Sequence, residues 1–362
     1  MRLASFRRSL GGRCARQAAR WFGGGVILLM LCTQATFCQQ TTLRSQANVV
    51  VIPALVKDAQ GEVVYGLEAK DFVVEDDSIE QPARLDEVPE GQPVSLVVAV
   101  QTGRRAAYEF PRIRGLKAML DPIFSSDTAA SDTAAMDAEA PGTARVALVE
   151  FDSQVKLAQE FTNNEAAIQE GLKNMQPGDG GAAILDAITL SVNLLKQESD
   201  DRLRILLLIS ETRDHGSSAK IQDAIAHIGK ANVLAYALAF SPALSNILDT
   251  ERGNNLPGSS MNEMHPSLDL LAPLSMTMQA MRKNVPSTVA SMTGGEYELF
   301  ATRKKFDLRM TDFTNHIHNR YLLSITPKDP HPGLHQLRVR LRNSRGKTVL
   351  ARTSYWAEGT TH

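Results

Sequence analysis

The chain has 362 residues, 43% of them hydrophobic, enough for roughly two domains of about 150 residues each with packed cores. Its formal charge of −1 is set by 39 basic and 40 acidic residues and excludes a generic nucleic-acid binder. All three cysteines, Cys14, Cys32 and Cys38, fall in the first 38 residues, so a chain beginning at Gln39 has no disulfide, no thiolate metal site and no cysteine nucleophile.

Residues 1–38 read as an export signal. Arg2, Arg7, Arg8, Arg13, Arg16 and Arg20 form a basic leader without an acidic residue, residues 26–32 form an apolar core, and small or polar residues follow. Cleavage falls after the small-x-small triplet Thr33-Gln34-Ala35 or after Cys38. The apolar run is shorter than the roughly 20 residues that a membrane-spanning helix needs, so no stable span is expected after cleavage, with an uncleaved N-terminal anchor as the minor alternative. Phe37 before Cys38 fits a lipid-attachment site poorly, and the residues around Arg7-Arg8 fit a twin-arginine signal poorly. Without its six arginines the chain carries a formal charge of about −7.

Residues 46–92 read as a small β segment. NVVVIPALVKD is apolar and β-branched, residues 59–61 turn, DFVVE is a second strand, and residues 76–78 turn toward 83–88. PEGQP (89–93) is a linker by composition. The larger unit, 94–325, alternates apolar runs (96–100, 145–150, 204–209, 233–239) with helical segments (108–120, 164–175, 182–197, 219–231). That alternation implies a six-stranded, doubly wound, mostly parallel α/β sheet covered on both faces. Ile184, Leu185, Ile188, Val192 and Leu195 recur at helical spacing and mark a core-facing stripe. Residues 125–143 are small, acidic and of low complexity, and read as a surface insertion. A helix over 267–282 is expected to be interrupted at Pro273; 287–300 reads as a helix, a Gly-Gly stop and an edge strand, and 304–319 as a closing helix. The tail, 326–362, returns to β. NRYLLSITP, which straddles that boundary, is one strand, HQLRVRLRN alternates, residues 344–347 turn, and TVLARTSYW pairs back as a hairpin that packs on the N-terminal β segment. Leu337, Val339 and Leu341 share one face of that strand, and Arg338, Arg340 and Arg342 the other.

Three stretches carry the resemblance to a known family: SLVVAVQTGRR (95–105), GDGGAAILDAI (178–188) and LRILLLISETRDHGS (203–217). Their order resembles a von Willebrand factor type A (VWA) domain. Together with DFVVED near the start and NRYLLSITP, LRVRLRN and ARTSYWA near the end, the layout resembles a VWA-related family described from acidobacteria. The resemblance implies a metal-ion-dependent adhesion site, built in the family from Asp-x-Ser-x-Ser, a loop Thr and a third-loop Asp. Here the corresponding positions read Gln101, Gly103, Arg105, Ala182 and Glu211.

A magnesium-type site wants near-octahedral oxygens. Gly103 and Ala182 have no side-chain oxygen, Gln101 has one neutral oxygen, and Arg105 brings a permanent cation. Two cations about 4 Å apart repel by roughly 4 kcal/mol at an effective dielectric of 20. No metal and no cofactor is therefore expected. One reading makes this face a metal-free recognition surface of Gln101, Thr102, Gly103, Arg104, Arg105, Gly181, Ala182, Glu211, Arg213 and Asp214, in which an arginine takes an acidic side chain of a protein partner directly. The other makes it a lapsed site with Arg105 paired internally to Glu211 or Asp214, and a third keeps an atypical cation on those two carboxylates.

Other constellations are weaker. His316 and His318 lie in a helical segment where their rings diverge, and His331 and His335 lie in a Pro/Gly loop and read as solvated. Asp186 reads as a capping or pairing residue and Asp152 as a turn residue, while the arginine row reads as a solvated face, with an acidic partner as the alternative. Nucleophile-elbow, zinc-protease, phosphate-loop and dinucleotide motifs are absent from the sequence. The expectation is an exported, non-enzymatic interaction protein of the periplasm or cell envelope, with a structural envelope component as the alternative.

Overall fold

The computed structural model describes residues 49–86, 92–103, 144–240, 272–327 and 331–358, together with Ala106, Leu116, Leu120, Ile123 and Phe124. The expected export signal, Arg104, Arg105, the acidic insertion and most of the expected helix 108–120 lie outside the described residues. The strands are β1 (Val50–Lys57), β2 (Phe72–Asp76), β3 (Ile79–Gln81), β4 (Arg84–Asp86), β5 (Val94–Gln101), β6 (Arg145–Phe151), β7 (Val155–Thr162), β8 (Leu203–Ser210), β9 (Leu234–Phe240), β10 (Tyr297–Phe300), β11 (Tyr321–Ile325), β12 (Gly333–Leu341), β13 (Thr348–Ala351) and β14 (Ser354–Ala357). The helices are α1 (Glu165–Asn174), α2 (Ile184–Gln197), α3 (Ile221–Lys230), α4 (Ala272–Lys283), α5 (Val285–Thr293) and α6 (Arg303–His316).

A six-stranded sheet of order β10-β9-β8-β5-β6-β7 forms the α/β unit. Its pairs are parallel except β6–β7. Every residue of β5 is buried, which is why its sequence is continuously apolar rather than alternating. Val97 and Ala99 face a core completed by the α2 stripe of Ile184, Leu185, Ile188, Val192 and Leu195. Leu96, Val98 and Val100 face the opposite core, which Phe306, Met310 and Phe313 of α6 close at helical spacing together with Leu116 and Leu120. Asn164 caps α1 by accepting from the N–H groups of Ala166 and Ala167. Gly294, at φ 85°, ends α5 in the left-handed conformation, and Gly295 behind it leaves no room for a β-carbon against Ala235 O.

The remaining strands build a sandwich of two antiparallel sheets, β13-β1-β11-β4 and β14-β12-β2-β3. Ile52, Val56 and Leu323 of one sheet meet Phe72, Val74, Leu337, Leu341 and Tyr355 of the other. Both chain ends contribute, because β12 pairs with β2 and β13 with β1.

Several details differ from the sequence reading. Strand β11, placed with the larger unit in the 94–325 span, pairs with β1 and β4 in the sandwich. The tail is not a simple hairpin: β13 joins β1, whereas β14 joins β12. The break falls at Arg352, which is buried and donates to Ser354 O at 2.7 Å and to Gly229 O of α3, so the chain changes sheets there. Strand β7 was not foreseen. Pro273 lies within α4 as described, and the segment 267–271 expected ahead of it lies outside the described residues. His335 is not solvated: it is 2% exposed, because β12 begins at Gly333 and covers both faces of its first residues. The arginine row is solvated, with Arg340 paired to Glu75 and Arg342 to Glu80.

The sandwich is joined to the α/β unit by a buried charge cluster. Glu296 takes Lys57 of β1, His316 of α6 at 2.7 Å, and the flank of Arg320 at 3.9 Å. Arg320 also donates to Gly294 O at 2.6 Å and to Tyr236 Oη at 2.8 Å. Burial by itself raises the Glu296 pKa, but His316 and Lys57 outweigh it and bring the carboxyl down to about 2.

Candidate functional site

In the sheet order, β5 lies between β8 and β6, so the strand order reverses at its C-terminal end. Open α/β sheets bind ligands at such a switch point. Three loops meet there: Gln101 to Gly103, residues 178–183 before α2, and residues 210–214 after β8. Backbone bonds tie them together. Thr102 N donates to Phe151 O at 2.7 Å, Gly178 N to Thr102 O at 2.8 Å, and Ala183 N to Asp152 O at 2.7 Å. Ala182 and His215 exchange both of their N–H···O bonds at 2.8 Å.

The side chains complete the closure. Gln101 is fully buried; its Nε2 donates to Glu211 Oε1 at 3.1 Å and to Gly103 O at 3.2 Å, and its Oε1 accepts from Glu211 N at 2.8 Å. An amide can both give and take in this way, which a carboxylate at position 101 cannot. Asp214 Oδ1 accepts from Leu185 N at 3.0 Å and from Ser217 Oγ at 2.5 Å, and so serves the start of α2. Asp186 accepts from Ser218 N and Ala219 N, pairing one loop to the next. Asp152 accepts from Gln154 N and Asp179 N. The Asp179 carboxyl is held below its ordinary range, first by the Ser153 hydroxyl and then by Gly181 N–H.

Glycine is required where these loops touch. A β-carbon on Gly103 would stand 2.2 Å from Gly181 O and 2.7 Å from Asp152 Cβ, and one on Gly181 would stand 2.4 Å from Ser153 N. The space a serine side chain would occupy at position 103 is filled by the second loop.

The donors that remain do not fit a magnesium-type ion. Gln101 gives a neutral oxygen already bonded to Glu211 N, Glu211 Oε1 already accepts from Gln101, and Asp214 Oδ1 already holds two donors. No side-chain oxygen is available from Gly103 or Ala182. Octahedral coordination needs several free hard oxygens around one point.

Of the residues expected to meet a partner, the structure puts Gln101, Thr102, Gly103, Ala182 and Glu211 in the interior. Gln101, Thr102 and Glu211 bond within the loops through their side chains, and Ala182 through its backbone. Arg213 is exposed, and Gly181 and Asp214 are half-buried. Arg104 and Arg105 follow Gly103 in sequence but lie outside the described residues. Asp152 and Asp179 emerge as the organisers of the second loop; Asp179 was not foreseen, and the Gly-Asp-Gly-Gly spacing was the available signal.

Residues 104–213 match the von Willebrand factor type A domain. The matched span begins just after Gly103 and ends at Arg213, so the first loop lies at its edge. No curated protein matches the chain. Among solved structures, similarity is found to the conserved hypothetical protein BatB from Bacteroides thetaiotaomicron, at 14% identity over 62% of this chain and 98% of that one with a TM-score of 0.39. Proximal thread matrix protein 1 from the mussel byssus, with a zinc-occupied metal-ion-dependent adhesion motif, is 12% identical over 63% of this chain and 48% of its own, at a TM-score of 0.41. The chain thus spans about half the length of the mussel protein. A von Willebrand factor type A protein from Catenulispora acidiphila is 8% identical over 83% of this chain and 73% of its own, at 0.44. No helix among the described residues is long and apolar enough to cross a membrane.

Proposed function

We propose that this chain is an exported, non-enzymatic protein-interaction protein of the periplasm or cell envelope, whose VWA-type loop face works without a metal ion. The observation that carries the reading is the reciprocal Gln101–Glu211 pairing, buried at the end of β5, in the place where the VWA resemblance implies a cation. An amide and a carboxylate satisfy one another there, whereas two carboxylates would need a cation between them. The exposed Arg213, and the arginines that follow Gly103 in sequence, then supply the positive charge for an acidic side chain on the partner. The basic leader and apolar run of residues 1–38, read as an export signal, support the envelope location. The carboxylates of this face are occupied by loop N–H and hydroxyl donors, which favours a shaping role over acid–base chemistry.

Partner capture from an envelope extract, followed by an affinity measurement with and without chelator, tests the reading. Saturable, chelator-insensitive binding that weakens about tenfold in Arg213→Ala or Arg105→Ala is expected for an exposed charged contact. Chelator-sensitive binding would restore a metal-bridged site, and the absence of any saturable partner would favour a structural envelope component.

A further inference from the structure

A second cluster lies on the β sandwich, on strands that take no part in the loop face just described. Strands β2 and β3 are joined by the two-residue turn Asp77-Ser78, whose φ values of 47° and 69° are the left-handed pair that such hairpins require. The Asp77 carboxylate is fixed by the neighbouring strand, because Oδ1 accepts from Gln336 N at 2.9 Å while Asp77 N donates to Gln336 O at 2.9 Å. Its other oxygen, Oδ2, faces two imidazoles: His335 Nδ1 at 2.8 Å and His331 Nε2 at 3.3 Å. The His331 and His335 rings stack with centroids 4.0 Å apart, and Tyr355 stacks on the far side of His335 at 4.7 Å.

The tautomer of His335 follows from its second nitrogen. Nε2 lies 2.7 Å from His331 O, and a carbonyl only accepts, so Nε2 carries the hydrogen. In the neutral ring Nδ1 then presents a lone pair to two carboxylates, since Asp76 Oδ1 also stands 3.4 Å away. Asp76 Oδ1 has no hydrogen-bond partner among the described residues although its side chain is only 9% exposed, and His335 Nδ1, 3% exposed, faces that oxygen and Asp77 Oδ2. The other Asp76 oxygen is held by the Tyr355 hydroxyl at 2.9 Å. A buried carboxylate oxygen without a donor, beside a nitrogen lone pair set against two carboxylates, calls for a positive charge among them.

We propose that His331 Nε2, His335 Nδ1 and Asp77 Oδ2 form a binding site for a zinc-type divalent transition metal, with Asp76 Oδ1 as the fourth donor. The three principal donor atoms lie within 4.8 Å of one another. Zinc bonds of about 2.0–2.2 Å place tetrahedral donors roughly 3.3 Å apart, near the 3.3 and 3.4 Å already present, so that the His335 Nδ1–Asp77 Oδ2 pair, at 2.8 Å, opens by about half an ångström when the ion enters. Two imidazoles with carboxylates suit zinc rather than magnesium. The His335 Nε2–H bond to His331 O is the second contact that orients a ligating histidine. Asp77 and His331 are about one-third exposed, so an ion reaches the site from solvent. The site links the β2–β3 hairpin, early in the chain, to the start of β12 more than 250 residues later. In a chain without cysteine after residue 38, it serves as the cross-link that an exported domain otherwise takes from disulfides.

Calorimetric titration of Zn²⁺ into the chelator-stripped chain beginning at Gln39 tests the site, and this choice of start removes the three cysteines as competing ligands. One-to-one binding and a rise in melting temperature with zinc are expected. His331→Ala and Asp77→Asn should each weaken binding by about 100-fold or more while retaining a folded far-UV spectrum. No saturable zinc binding to the parent chain, or binding that survives in both variants, would overturn the proposal. Zinc binding that survives in both variants but is lost in Glu211→Ala would place the ion at the strand-end loops instead.

Discussion

At the scale of single residues, the loop face is governed by Gln101 and Gly103. Three hydrogen bonds converge on the Gln101 amide, which satisfies the Glu211 backbone N–H and one of its carboxylate oxygens in the interior. Buried polar groups left without partners cost about 1–3 kcal/mol each, so this amide is fixed by its neighbours' needs as much as by its own. Gly103 is fixed by space. Gly103→Ser, the first step toward the family's Asp-x-Ser-x-Ser pattern, should destabilise the protein by about 3 kcal/mol through overpacking against Gly181 O, as read by urea denaturation. A neutral effect would mean that the second loop yields easily and that the closed face is not a constraint. This was only partly legible in the sequence. The missing carboxylate and hydroxyls were visible at once, but Gln101 and Glu211 lie 110 positions apart, and nothing in their local patterns says that one completes the other.

At the scale of elements, the charge cluster at Glu296 decides how β1, α6 and the turn before β10 stay together. The Glu296 pKa of about 2 lies below the 4.5 of a free glutamate, so its ionised form is favoured by folding. The stability it contributes is fully present above about pH 4.5 and is lost as pH falls from there toward 2. The shift corresponds to about 3 kcal/mol at neutral pH. Glu296→Gln should therefore lower stability by roughly that amount at pH 7, and its deficit relative to the parent chain should shrink steadily on acidification below pH 4.5. A deficit independent of pH would assign the loss to packing rather than charge. The central strands were readable because β5, β6, β8 and β9 are continuous apolar runs separated by helical stripes. Strand β7 was not, since VKLAQEFT is half-exposed and carries as many polar as apolar residues. The tail was misread as one hairpin because the buried Arg352, which diverts the chain between sheets, looks in sequence like one more solvated arginine.

At the scale of the whole molecule, the α/β unit and the β sandwich divide the chemistry between them. The sandwich gathers its histidines and aspartates from both chain ends, which is why His331 and His335 read as loop residues in sequence and meet Asp77 only in the fold. The α/β unit keeps a layered, mostly parallel sheet with a switch point, where the loops bond to each other. The central claim is that this face holds no divalent cation. Titration of Mg²⁺ into the chelator-stripped chain carrying His331→Ala, so that the sandwich site does not contribute, tests it most directly. The account predicts no saturable heat up to millimolar Mg²⁺. One-to-one binding that disappears in Glu211→Ala would contradict it and return the strand-end loops to metal-dependent adhesion.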